Sequence, residues 1–195
     1  MSRTGEVERQ TGETEVEVKF VVDGMGASDV DTGVGFLDHM IESLAKHGLF
    51  DVRVHADGDV ERTGDHHTVE DVGITLGMAI DDALGDRESI RRFGDASAPL
   101  DEALSRVVVD VSGRPYTSVD TEFTHAKIAD MSTDMVPHFF RSLATNAGLT
   151  LHMESEGEND HHIAESMFKS FALALDEATG IDERRDGVPS TKGKI

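Results

Sequence analysis

Two strings in this sequence place a pair of histidines and a glutamate at helical spacing. Asp65-His66-His67-Thr68-Val69-Glu70 returns as Asp160-His161-His162-Ile163-Ala164-Glu165. Residues three and four apart share one face of a helix. Glu70 can therefore meet His66 or His67, and Glu165 can meet His161 or His162. Adjacent histidines diverge by about 100° on a helix, so a pair serves one ion badly and two ions well. A third position repeats as well: His39-Met40-Ile41-Glu42-Ser43-Leu44-Ala45 aligns with His138-Phe139-Phe140-Arg141-Ser142-Leu143-Ala144. The economical reading is two metal sites exchanged by a pseudo-twofold axis. Each takes one histidine from each pair, one glutamate, and one of His39 or His138. Imidazole with carboxylate suits zinc, manganese, iron, nickel or cobalt. Four protein ligands would close a zinc tetrahedron, whereas an octahedral ion keeps two positions for substrate. The spacing is not the His-Glu-x-x-His of metalloproteases. With no cysteine in the chain, thiolate zinc sites, iron–sulfur clusters and disulfides are excluded.

A second group is cationic. Among 39 acidic and 18 basic side chains, Arg92, Arg114, Lys169 and Lys192 stand out. Arg91-Arg92 is read as part of a loop, and Arg114 lies in the turn Ser112-Gly113-Arg114-Pro115. Pro189-Ser190-Thr191-Lys192-Gly193 offers hydroxyls, backbone N–H groups and an ammonium. Arginine forks and lysine charges are the usual grip on a phosphate monoester. From the residues alone two readings compete: a metal-dependent enzyme acting on a phosphorylated substrate, such as a phosphohydrolase, and a non-catalytic metal-binding module.

The elements that must carry these residues repeat in order. Glu13–Asp23 alternates, with Val16, Val18, Phe20 and Val22 on one face, and reads as a half-buried strand. A Gly-rich turn leads to a helix over Phe36–Gly48, then a strand over Phe50–Ala56. Asp65 is expected to cap a helix over His66–Leu84. Ile90–Pro99 reads as a loop, Leu104–Val111 as a buried strand and Tyr116–Phe123 as another. Pro137–Ala147 reads as a helix, Thr150–Glu154 as a short strand, and Asp160 as the cap of a helix to Thr179. The tail, residues 184–195, is polar and reads as a frayed end. The expected architecture is α+β: a single domain over residues 1–195, internally duplicated as strand-helix-strand-helix halves at about 9–90 and 91–182, with sheets backed by helices.

Composition narrows the function classes. A net charge of −21 argues against nucleic-acid binding. Six lysines against twelve arginines, with excess acid, resembles the surface of a salt-adapted protein, because strong salt screens such self-repulsion; an acidic partner-binding surface is the alternative reading. No apolar run approaches the roughly 20 residues of a membrane span. Residues 1–10 do not read as a secretory signal, so a cytoplasmic protein is expected.

Several long strings resemble the imidazoleglycerol-phosphate dehydratase family of histidine biosynthesis. They are Asp31-Thr32-Gly33-Val34-Gly35-Phe36-Leu37-Asp38-His39-Met40 and Gly64-Asp65-His66-His67-Thr68-Val69-Glu70-Asp71-Val72-Gly73. Residues 98–106, 112–115, 139–144 and 159–162 also match, as does the terminal Pro189-Ser190-Thr191-Lys192-Gly193. The resemblance runs in order from about Arg9 to Gly193 and implies the monofunctional form of the enzyme, a hydro-lyase. It implies two Mn(II) ions per site: one on His39, His67, His161 and Glu165, the other on His66, Glu70, His138 and His162. It further implies a half-barrel fold similar to ribosomal protein S5 domain 2, and a homo-oligomer of 24 subunits with sites between chains. The implied reaction is dehydration of imidazole-glycerol phosphate to imidazole-acetol phosphate through a metal-bound imidazolate and a diazafulvene. Glu13 becomes the implied proton shuttle, with Glu70 and Glu165 as catalytic carboxylates. The implied substrate contacts are Glu13, His39, His47, Arg92, Arg114, Lys169, Ser190, Thr191 and Lys192, with the tail folded over the phosphate. Because adjacent histidines point apart, the helix of His39 or that of His138 is expected to come from a neighbouring chain.

Overall fold

A computed structural model describes residues 2–195. The first half runs β1 (Thr4–Gln10), β2 (Thr14–Val21), β3 (Ser28–Asp31), α1 (Gly35–Gly48), β4 (Asp51–Gly58), the one-turn α2 (Val60–Thr63) and α3 (His66–Leu84). The second runs β5 (Phe93–Leu100), β6 (Ala103–Asp110), β7 (Tyr116–Asp120), the small hairpin β8 (Lys127–Ile128) and β9 (Met131–Ser132), α4 (Met135–Asn146), β10 (Thr150–Glu156) and α5 (Asp160–Thr179). Both halves build the same sheet. The orders are β1-β2-β4-β3 and β5-β6-β10-β7, each antiparallel except for the last, parallel pair.

Alternation dictates which sheet face is covered. Val16, Val18 and Phe20 of β2 and Val52 and Val54 of β4 are buried, as are Val107 and Val109 of β6 and Leu151 and Met153 of β10. Glu15, Glu17, Arg106 and His152 of the same strands lie on the open face. The helices cover the apolar faces, and one core runs through both halves around Phe139, Phe140, Phe168 and Phe171.

Two segments depart from the expectation. Residues 90–99, expected as a loop, hold β5, and the polar N-terminal segment holds β1. Both strands lie under a helix at almost backbone contact. A Cβ on Gly94 would stand 2.0 Å from the Ala174 carbonyl oxygen of α5, and one on Gly5 would stand 2.0 Å from the Ala79 carbonyl oxygen of α3. The inward positions are Gly94, Ala96 and Ala98 in β5 and Gly5, Val7 and Arg9 in β1, which weakens the apolar alternation that marks a strand in sequence. The tail also differs from a frayed end. Gly187 accepts from the Ser89 amide (2.9 Å), Asp182 donates its amide to Ser89 (2.8 Å), and Pro189 accepts from Arg92 Nη1 (2.9 Å).

The helices pair across the halves, and this pairing positions the site. α1 packs on α5, and α3 packs on α4. Both pairs run parallel: Gly73 of α3 lies against Phe139 and Gly77 against Leu143 of α4, while Gly48 of α1 lies against Ala172 of α5. The segment between β7 and α4 fastens the helix starts together. Asp65 accepts from the amide and hydroxyl of Ser132. Asp160 accepts from the amides of Thr124 (3.0 Å) and His125 (2.8 Å), and Asp130 accepts from the amides of Gly35 (2.7 Å) and Phe36 (3.0 Å). Asp160 is therefore not the cap of α5. That role belongs to Asn159, which accepts from the His161 amide (2.9 Å). Asp65 stands at the cap position of α3, but its carboxylate points to Ser132 instead of the helix.

Candidate active site

Parallel pairing brings three of the expected ligands of each ion together in one chain. His39 of α1 meets His161 and Glu165 of α5: both imidazole Nε2 atoms face Glu165 Oε2, at 3.4 Å and 3.2 Å. His138 of α4 meets His66 and Glu70 of α3, with Nε2 atoms at 3.2 Å and 3.7 Å from the two Glu70 oxygens. In each group the nitrogen and oxygen atoms lie within 4.8 Å of one another. His138 Nε2 is buried and lacks a hydrogen-bond partner. A buried ring nitrogen without a hydrogen bond, beside a second imidazole and a carboxylate, fits a divalent transition-metal ion. The His39 and His138 helices thus belong to the same chain as their partners, contrary to the expectation that one of them crosses from a neighbour. The reason is that α1 and α4 each pack against a helix of the opposite half.

The fourth expected ligand of each set lies apart. His67 turns Nδ1 to Asp59 (3.2 Å) and Nε2 toward Glu13 (3.8 Å). His162 turns Nδ1 to Glu102 (2.8 Å). The pseudo-twofold extends to these acids, since Glu13 sits in the β1–β2 turn and Glu102 in the β5–β6 turn. The hydrogen bond to Asp59 raises the His67 pKa above its ordinary value, and that to Glu102 does the same for His162. His162 and the Asn159 and Glu158 amides in turn hold Glu102 at about 2. Asp59 and Glu102 escaped the reading of the sequence, because only the chain's folding brings them to the histidines. The correspondence of the two hairpin turns was the available signal for Glu102.

Lys169 stands one turn beyond Glu165 and holds its Oε1 at 2.6 Å. Burial opposes ionisation of Glu165, but the Lys169 hydrogen bond and charge outweigh it and leave the carboxyl below its ordinary value. His47 lies close enough to feel Lys169 and Glu165, and burial followed by the Lys169 charge lowers its pKa.

The remaining cations gather elsewhere. Arg92 clamps Asp110 through Nε (2.7 Å) and Nη2 (3.1 Å) and holds the tail at Pro189, while its amide donates to Ala178 at the end of α5 (2.8 Å). The Arg114 turn, fastened by the Ser112 hydroxyl, meets the chain end at Ile195, against Gly113. Ser190, Thr191 and Lys192 lie along the same tail, where the Ser190 hydroxyl accepts from the Lys192 amide (3.2 Å). From His161 to Ala178 the helix rises about 25 Å at 1.5 Å per residue. One chain therefore carries its histidines at the N-terminal end of the helix layer and this cationic cluster at the C-terminal end.

Comparison with known proteins shows the family that the chain is similar to. The family model described as imidazoleglycerol-phosphate dehydratase matches residues 32–175. A relative of that name from Haloarcula marismortui is 56% identical over 193 residues, covering 99% of this chain and 98% of its own. Another from Acetivibrio thermocellus is 54% identical over 196 residues, covering 100% of both. Among solved structures, imidazoleglycerol-phosphate dehydratase from Staphylococcus aureus superposes with a TM-score of 0.82 at 35% identity, covering 92% of this chain and 99% of its own. The Pyrococcus furiosus enzyme gives 0.83 at 36%, covering 97% and 100%.

Proposed function

The chain belongs to the imidazoleglycerol-phosphate dehydratase family, the hydro-lyases of histidine biosynthesis, and from that premise we propose how its residues carry out the dehydration. The observation that carries the reading is the pair of His₂–carboxylate groups, each short of one histidine within the chain. His67 of one subunit completes the His39, His161 and Glu165 group of another, and His162 completes the His66, Glu70 and His138 group. These residues would hold two Mn(II) ions per active site, four protein ligands to each, and the ions would supply Lewis acidity beside the bound substrate. The separation of histidines and cations supports the same sharing. Imidazole and phosphate in the substrate are about 8 Å apart from bond lengths near 1.5 Å, far less than the helix layer spans. The histidines and the phosphate grip of one site therefore come from different subunits of a homo-oligomer, which we take to have 24 chains.

The substrate presents no carbonyl to acidify the C–H that must break. Divalent ions would supply Lewis acidity that favours loss of the ring N–H proton. The electron-rich ring expels hydroxide from the carbon attached to it. Glu13, which travels with His67, takes the proton from the neighbouring carbon, and the enol so formed becomes the ketone on protonation at the ring-side carbon. Lys169 and His47 line the histidine side. Arg114, Ser190, Thr191 and Lys192 bind the phosphate, and Arg92, clamped to Asp110, holds the tail over it.

An assay with imidazole-glycerol phosphate, with and without Mn(II), tests this. The expected outcome is an enolisable ketone without phosphate release, lost on chelation. Phosphate release would favour a phosphohydrolase, and Mn(II) binding without turnover would favour a metal-binding module.

A further inference from the structure

His67 and His162 differ from the other four duplicated histidines in how their rings are held. His39, His161, His66 and His138 turn Nε2 toward a glutamate within their own group. His67 and His162 instead have Nδ1 on a carboxylate outside either group, Asp59 at 3.2 Å and Glu102 at 2.8 Å. An ionised carboxylate only accepts hydrogen bonds, so in the neutral ring the proton sits on Nδ1 and the lone pair on Nε2. Both carboxylates are themselves fixed. Glu102 Oε1 accepts from the Asn159 amide (2.8 Å) and the Glu158 amide (3.2 Å), immediately before α5. Asp59 precedes the single turn α2, whose Arg62 donates from Nη2 to Asp59 Oδ2 (3.4 Å). Two unrelated local structures, a hairpin turn and a one-turn helix, thus give the same ring orientation at pseudo-twofold positions.

We infer that Asp59 and Glu102 are positioning residues: each fixes the tautomer and aim of one imidazole so that Nε2 is the nitrogen offered to a neighbouring chain. The inference rests on the proposed reading that His67 and His162 complete the two ion sites from another subunit. An imidazole within its own group is oriented by the groove between two packed helices. One that crosses a subunit boundary lacks that support before assembly, and a carboxylate behind the ring supplies it. Loss of such a partner typically weakens a metal site ten- to a hundredfold.

The test uses full-length chains stripped and reloaded with Mn(II), reading ions per chain and affinity from the electron paramagnetic resonance of free Mn(II). Asp59→Ala and Glu102→Ala are each expected to weaken one of the two ions about ten- to a hundredfold. Asp59→Asn keeps an acceptor oxygen for Nδ1–H and is expected to stay within about threefold of wild type. Wild-type affinity in both alanine variants, or a loss in Asp59→Asn equal to that in Asp59→Ala, overturns the positioning role. His67→Ala and His162→Ala separate this from the underlying reading. If they lose one ion each while the carboxylate variants lose none, the ligands stand and the positioning falls. If they keep both ions at full affinity, the ligand reading falls and takes the inference with it. Circular dichroism and sedimentation of the metal-free variants check folding. Should an alanine variant fail to fold, the near-isosteric Asp59→Asn carries the test, and a tenfold loss there overturns the role.

Discussion

His67 and His162 each sit against a carboxylate that favours their charged form, and this makes metal binding a competition with protons. An imidazolium has no lone pair to give. Because both rings hold their proton above the ordinary histidine value of about 6.5, the competition begins above that pH and grows as pH falls. Glu102, held at about 2, stays ionised throughout, so the imidazole is the member of that pair that titrates. Mn(II) affinity is therefore expected to fall as pH is lowered from above the ordinary histidine value of about 6.5 to below it. A titration showing equal affinity across that range would contradict the account. Glu13 provides a second check at this scale. Glu13→Gln retains the shape of the side chain but cannot take a proton, and turnover is expected to drop by about 10²- to 10⁴-fold. Mn(II) content and substrate binding should stay near wild type, and unchanged turnover would remove Glu13 from the mechanism.

At the scale of elements, the decisive contacts are those that let strands and helices approach closely. Gly5 against Ala79 and Ala83, and Gly94 against Ala174 and Ala178, are the same contact made twice. Each seats the first strand of a half beneath the long helix that carries a histidine pair. Gly94→Val would force backbone against backbone and is expected to destabilise the chain by about 1–3 kcal/mol or more. Denaturant unfolding measures this, and a variant as stable as wild type would show that α5 does not need the close approach. The same contacts explain why the first strand of each half was hard to read. β1 offers Gly5 and Arg9, and β5 offers Gly94, Ala96 and Ala98, at inward positions where β2, β6 and β10 carry larger apolar residues. The fastening of the helix starts by Asp65, Asp130 and Asp160 was equally silent, since an aspartate ahead of a helix looks like a cap.

For the whole molecule the issues are assembly and charge. Each chain holds two His₂–carboxylate groups, with His67 and His162 outside both, and the proposed sharing of ligands would need heterologous contacts between copies. A mixture of His39→Ala and His67→Ala chains, each inactive alone, should regain activity when subunits exchange. About one site in four in a random mixture would draw its His39 group and its His67 from intact sources. No recovery in demonstrably mixed particles, or full activity in a stable monomer, would end the shared-site proposal. The net charge of −21 adds a further expectation. Repulsion among exposed acids is screened over about 3 Å at 1 M salt, so the melting temperature should rise from low salt to that concentration. A flat or falling melting temperature would count against salt adaptation. Among the described residues no helix is long and apolar enough to cross a membrane.

By itself the sequence determined the duplication, the helices that carry the histidines, and the chemistry those histidines suit. These are local properties: spacing along one helix, alternation along one strand, and identity between two strings. It could not determine which histidines meet. That was decided when α1 packed on α5 and α3 on α4, pairing each half with the other and leaving His67 and His162 outside both groups. Nor could it place Asp59 and Glu102 behind those rings, or set Arg92 and the tail at the far end of α5, about 25 Å of helix from His161. Contacts between residues far apart in sequence depend on how helices seat against sheets. That seating arises from the shape of the whole core, which no single segment encodes.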